Sequence, residues 1–243
     1  TVSRAGILFI NDTDVGYEPY VQSWLKKRTN ELEKSALPDL FERYLSKIIE
    51  YYQVMKMETI IPLPLINIVQ SACYIMEGIL KTNIGEKNAL TIERVFLFAC
   101  MWAFGGALSG DKQTDYRKQF TSFFKSIAKC LKFPASSADG NQNVLDYFFD
   151  FTTGEAISWQ SKVATFSSSS TDIGTLVVPT AETVRLTYLM ERLVKVNTPV
   201  MFVGSAGTGK TVLVSDFLSS LSVTDEAYKF SSINMNFYTD SFA

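Results

Sequence analysis

Residues 200–214 read "VMFVGSAGTGKTVLV", and the eight positions at their centre decide the fold. Gly204, Ser205, Ala206, Gly207, Thr208, Gly209, Lys210 and Thr211 match G-x-x-x-x-G-K-[ST] throughout. The glycines let backbone N–H groups turn inward around a phosphate, and a helix starting here adds the positive end of its dipole. Lys210 has the reach to meet β- and γ-phosphates as a point charge, and the Thr211 hydroxyl suits Mg²⁺. Ahead of the loop, "PVMFV" (199–203) reads as a fully buried parallel strand. Behind it, "TVLVSDFLSSL" (211–221) reads as a helix. The competing reading of the same glycines is a turn that merely joins strand to helix.

A hydrolysing phosphate-loop enzyme also needs an apolar strand ending in an acid that holds Mg²⁺ and orients water. Nothing after Thr211 fits: Asp216 falls inside the following helix, and Asp225 and Glu226 fall in a loop after Ser222. The region before the loop is helical. These residues are therefore expected to bind nucleotide without the parts to cleave it. The absence of an initial Met and the abrupt end in "YTDSFA" point to a piece of something longer.

Composition narrows the class. With 243 residues, 47% of them apolar and 20% charged, the chain is globular and can build one large domain or two ordinary ones. A net charge of −2 without a basic half argues against a dedicated nucleic-acid or membrane-surface binder. Three cysteines, Cys73, Cys100 and Cys130, lack C-x-x-C spacing, and with no histidine a Cys/His zinc site or a histidine triad is excluded. A reduced, cytosolic compartment is the expectation. The most apolar run, "VFLFACMWAF" (95–104), is about half of what a bilayer requires and predicts a helix buried on all sides. No targeting segment is visible.

Along the chain, "AGILFI" (5–10) predicts a strand, and helices are expected at 18–28, from near Pro38 onward, over "PLPLINIVQSACYIMEGIL" (62–80), at 87–104 and at 111–132. The second carries Leu40, Phe41, Tyr44, Leu45, Ile48 and Ile49 as one apolar stripe. The charge run "WLKKRTNELEK" (24–34) reads as a solvated helix end. After a loop at 134–143, "VLDYFFDF" and "EAISWQS" joined by "TTG" (152–154) predict a hairpin with Tyr147, Phe149 and Phe151 on one face. A second loop spans 166–174, a helix follows with Thr180 as N-cap, and "INMNFYT" (233–239) alternates like another strand. Arg4 is a cation beside the first apolar run: an ordinary salt bridge or surface arginine, or an arginine finger reaching a neighbour's phosphate.

Three segments together resemble dynein heavy chains. "TVSRAGILFI…DVGYEPYVQSWL" looks like the signature closing the large subdomain of their second AAA+ module. "VFLFACMWAFGGAL" followed by "DYRKQF" resembles the buried helix of the small subdomain that comes next. "LVVPTAETVRLTYLMERLVKVNTPVMFVGSAGTGKT" resembles the opening of the third module. The "SRAG" and "FGG" versions look most like axonemal heavy chains, the outer-arm type among them. The resemblance implies an α/β P-loop (AAA+) fragment preceded by a mostly α-helical small subdomain and a β-hairpin linker. Its divisions would be 1–134 for the end of the second large subdomain with its small subdomain, 135–174 for the loop and hairpin linker, and 175–243 for the start of the third module.

Roles follow from the same resemblance. Gly204 to Thr211 would be the third module's phosphate loop for ATP or ADP with Mg²⁺, and Val178, Pro179 and Thr180 match the "VPT" that packs on adenine. Arg4 lies where the family's arginine faces the nucleotide of the first module. The Walker B acid, the first sensor and the stalk with its microtubule-binding tip fall outside these residues. Partners would be the neighbouring AAA+ modules, other dynein chains and, through those outside parts, microtubules, in a cytoskeletal and ciliary axonemal setting without nucleic acid or membrane. The third site would regulate the ring, with the helical part as a mechanical coupler. The alternative is a free-standing small P-loop kinase or NTPase with an N-terminal helical domain.

Overall fold

The computed structural model describes residues 12–110, 115–134, 143–165 and 178–235, with the backbone alone for Asp12 and Thr13. A single helical turn, Asp12–Val15, leads into α1 (Glu18–Lys26), where Pro19 occupies the first turn and Val21 and Trp24 are buried. The next helix, α2 (Glu31–Leu40), begins seven residues before the expected Pro38 start. Asn30 explains the shift: its Oδ1 accepts from the Leu32 and Glu33 amides at 2.9 and 3.2 Å, which outweighs the donor missing at Pro38. A π-helical turn, Phe41–Leu45, carries α2 into α3 (Ser46–Val54). The predicted stripe from Leu40 to Ile49 is buried along this rod.

The charge run at 24–34 is solvated at Lys26, Lys27, Glu31 and Lys34 as expected, but Arg28 and Glu33 are drawn inward. Arg28 reaches Glu77 at 3.1 Å and lies 4.1 Å from the Trp24 ring centroid. Trp24 Nε1 and Lys81 also contact Glu77, at 3.2 and 3.0 Å. Burial by itself raises Glu77, but the Lys81 hydrogen bond and the Arg28 and Lys81 charges outweigh it, so the carboxyl is held below its ordinary value. The cluster locks α1 onto α4 (Leu65–Leu80).

The centre of the body is α5 (Ala89–Cys100), continued by a second π-helical turn, Met101–Gly105. No residue from 95 to 104 is more than 8% exposed, as expected of a helix apolar all round. It packs along α4 and α2. The next helix, α6 (Tyr116–Ile127), is capped by Asp115. It stops before the expected 132 because Ala128 leaves the helical region at ψ 57.

Tyr147–Phe149 (β1) pairs antiparallel with Ala156–Ser158 (β2), with Phe148 opposite Ile157. Tyr147, Phe149 and Phe151 are buried together as the alternation required. The hairpin turn is clamped to α5 by Arg94, whose guanidinium donates to the Phe151 carbonyl at 3.0 Å, to Cys130 O at 3.3 Å and to Thr152 O. Among the described residues this buried cation has no carboxylate partner and donates instead to three backbone acceptors. Gly154, at φ +77, makes room for it: a Cβ there would lie 2.8 Å from Arg94 Nε.

Phe98 of α5 meets Phe148, Phe149 and Phe151 edge-on at 6.0, 6.4 and 5.5 Å. It also meets Tyr188 at 6.2 Å. Tyr188 belongs to α7 (Ala181–Val194), the helix that leads to the glycine loop. The same helix crosses α4 at Gly78, where an added Cβ would sit 2.8 Å from the Arg192 carbonyl carbon. After α7 comes α8 (Lys210–Thr224), which rests on it through Met190, Leu213 and Phe217.

The strand expected at 199–203 is absent. Val200, Met201 and Val203 are 38%, 76% and 47% exposed, and among the described residues no strand lies beside them to complete a ladder. Without a partner an apolar run has no acceptors for its N–H groups and stays open chain. Residues 233–235 are also irregular, while 236–239 and the expected strand at 5–10 lie outside the described residues.

Two outcomes are expected. Gly78→Ala, by forcing α4 and α7 apart, should cost about 1–3 kcal/mol in urea denaturation. Gly110→Ala, with nothing within 4 Å, should stay within about 0.5 kcal/mol of the parent; equal values for the two would show a loose crossing. Burial pushes the Cys73 and Cys130 thiols up to about 12 and Cys100 up as well. Raised values favour the neutral thiol, so this stabilisation is complete below the unfolded value of about 8.5 and is lost as pH climbs towards 12. The urea midpoint should therefore fall from pH 8 to pH 11, and iodoacetamide at pH 8 should label the buried Cys73 and Cys100 only upon unfolding.

Candidate functional site

The phosphate loop forms because two positions adopt backbone angles that side chains resist. Gly207 and Gly209 have φ of +78 and +80, and a Cβ on either would meet nothing within 4 Å, so the requirement is conformational rather than steric. Gly209 is the N-cap of α8, and no side chain caps that end. The first-turn amides therefore present unsatisfied donors at the positive end of a 15-residue helix.

Lys210, the first residue of α8, folds over the loop. Its Nζ donates to Gly204 O at 2.9 Å, Ser205 O at 2.6 Å and Thr208 Oγ1 at 3.1 Å, and Thr208 Oγ1 donates to Ser205 O at 3.0 Å. A phosphate competing for this ammonium would replace neutral acceptors by charged ones, an exchange that favours phosphate. Thr211 is exposed on the first turn of α8, beside Lys210.

The approach to α7 comes next. The Thr183 amide donates to Thr180 Oγ1 at 3.2 Å and the Thr180 amide donates to Thr183 Oγ1 at 2.8 Å, a capping box. The Thr180 hydroxyl is thus committed to starting α7. Val178, two residues earlier, is 55% exposed.

A cavity of about 920 Å³ joins these pieces, of a size suited to a nucleotide. Of the residues singled out in the sequence, Val178, Thr180, Gly204, Thr208, Gly209 and Lys210 line it, while Pro179, Ser205, Ala206, Gly207 and Thr211 do not. Arg4 lies outside the described residues. The helical body contributes further lining residues: Ile60, Ile61 and Leu63 between α3 and α4, Trp102 in the π-helical turn, and Arg117 in the first turn of α6. Nothing in the sequence flagged these five, because they precede the loop by some 90 residues or more and only tertiary packing brings them near. The cavity's carboxylate, Glu182, pairs with Arg185 at 3.2 Å. Among the described residues no helix is long and apolar enough to cross a membrane.

Residues 37–161 match the family model described as the dynein heavy chain AAA lid domain, and residues 166–243 match that of the P-loop containing dynein motor region. Dynein axonemal heavy chain 11 of Sus scrofa is 37% identical over 246 residues, covering 100% of this chain and 5% of its own length. Dynein axonemal heavy chain 17 of Homo sapiens is 38% identical over 99% of this chain, and the dynein beta chain, flagellar outer arm, of Chlamydomonas reinhardtii is 38% identical over 97%. The chain spans 5% of the length of each of these relatives. The reading as a free-standing small kinase finds no support among them.

Proposed function

Because the chain belongs to the dynein heavy chain family, we propose that it serves in the ATP-driven ring of an axonemal heavy chain that moves along microtubules. In this reading residues 1–134 complete the second AAA+ module, 135–174 link it onward, and 175–243 open the third. The third-module loop holds ATP or ADP and regulates the ring, with the helical body as coupler. Partners are the neighbouring modules, other dynein chains and, through parts outside this chain, microtubules of the ciliary axoneme.

The observation that carries the proposal is the loop 204–211 at the uncapped end of α8, opening on a nucleotide-sized cavity. Lys210 and the α8 amides bind phosphate oxygens, while Val178, Pro179 and Thr180 shape the base end. Among the described residues no group of three His, Cys, Asp or Glu side chains is placed to hold a metal ion. A Mg²⁺ here would be held by Thr211 together with the nucleotide's own phosphates, the habit of this cation. It would supply charge neutralisation across those phosphates.

In the intact heavy chain, Lys210→Ala should weaken nucleotide binding at this site at least about ten-fold, because a charge-assisted contact to phosphate is removed. Unchanged occupancy of the site would contradict the proposal. For Arg4, whose proposed role is an arginine finger to the first module, Arg4→Ala should slow ATP turnover by about 10³-fold or more with little loss of ATP affinity. Arg4→Lys should recover little, since a point charge lacks the planar fork. Turnover within about two-fold of the parent, together with lower thermal stability, would make Arg4 a structural ion-pair residue.

A further inference from the structure

Arg94 stands at one end of a series of contacts whose other end is α7, the helix that leads to the phosphate loop. We propose that Arg94 is a positioning residue for that loop: by fixing the turn of the hairpin, it fixes the aromatic face on which α7 is seated. The inference rests on the nucleotide reading of the loop and names the element through which the helical body acts on it.

Three observations support it. First, the hairpin turn is held from outside the hairpin. Arg94 Nη1 donates to Phe151 O at 3.0 Å and to Thr152 O, while its Nε donates to Cys130 O at 3.3 Å. Lys132 N donates to Gly154 O at 2.8 Å and Ala156 N to Lys132 O at 3.2 Å, so the chain after α6 pairs with the far side of the turn. A planar guanidinium spans carbonyls on two segments at once, which a point ammonium does less well. Second, the hairpin is the seat of α7. The Tyr188 centroid lies 5.3 Å from Phe148 and 5.5 Å from Trp159, and these two rings are 5.4 Å apart. Asp146, next to β1, accepts from Arg185 at 3.3 Å. Arg185 and Tyr188 are three residues apart and share a face of α7. Third, Arg94 and Phe98 lie one turn apart on α5, and Phe98 meets Phe148, Phe149 and Phe151. Phe98, Phe149 and Trp159 are at most 1% exposed. A group packed this closely passes a displacement on instead of absorbing it.

The affinity of the loop then depends on a side chain that bonds to the hairpin and not to the loop itself. Freeing the turn frees the rings to repack, and α7 shifts with them. A nucleotide that prefers one seating of α7 shifts the balance between seatings by that difference in affinity.

The test is a double-mutant cycle in the intact heavy chain, read as mant-ADP affinity at the site that Lys210→Ala weakens. Arg94→Met and Tyr188→Leu should each weaken that site about five-fold or more, within the usual range of coupling between separate sites. The double variant should be no weaker than the worse of the two singles, because both changes act through one seat. Effects that simply multiply, or unchanged affinity in Arg94→Met, would overturn the inference and leave the nucleotide site standing. If Lys210→Ala weakened no mant-ADP binding, the nucleotide reading itself would fail. Arg94→Lys, which keeps a cation at this place, should recover part of the loss and serves where Arg94→Met does not fold. In Arg94→Lys, amides of 147–158 and 181–194 should exchange hydrogen faster than in the parent, while those of 46–54 keep the parent's rates. Equal acceleration in all three segments would make Arg94 a residue of general stability and overturn its positioning role.

Discussion

The glycine loop owes its position to the docking of α7 on the helical body. Two contacts hold it. The Tyr188 ring enters an aromatic group made by Phe98, Phe148 and Trp159, with centroids 6.2, 5.3 and 5.5 Å away. At the other end of the helix the backbone of Arg192 passes over Gly78, where α4 offers no side chain. Aromatic edges set direction and the missing Cβ sets distance. Burial raises the Tyr188 hydroxyl, partly opposed by the charge of Arg192 and its hydrogen bond, so the ring stays neutral in its place. The loop and α8 then hang from α7 through the small cluster of Met190, Leu213 and Phe217.

Buried charge is used differently in two places. Around Glu77, cations and carboxylates neutralise one another and fasten α1 to α4. Such a cluster adds little net stability but is costly to break on one side, because the remaining charge is stranded. Beside the phosphate loop, Lys210 bonds to neutral oxygens of its own loop and Arg117 to a backbone carbonyl. Among the described residues neither cation is paired with a carboxylate.

Burial differs along the described residues. From α1 to β2 a single apolar cluster runs through helices and hairpin alike, with Phe96, Phe98, Phe104 and Trp159 almost wholly buried. Past α7, only Leu213 and Phe217 of α8 are buried, and Val212 and Val223 face outward at 53% and 86% exposure.

The sequence by itself determined whatever depends on local periodicity and backbone angle. The stripe from Leu40 to Ile49, the fully apolar run 95–104, the Thr180 cap, the hairpin faces and the glycine-lysine loop all follow from spacing within a few residues, and spacing is what a sequence displays. Even the early start of α2 was present in Asn30, followed by acids in the first turn. Tertiary structure alone decided the rest. Whether "PVMFV" is a strand depends on a neighbour to pair with, not on its own composition. Arg28 belongs to an ion cluster because Glu77 approaches from another helix. Arg117, Ile60, Ile61 and Leu63 line one cavity with the phosphate loop because Gly78 and Tyr188 bring α7 against the helical body, and proximity between residues so far apart in the chain leaves no local pattern to read.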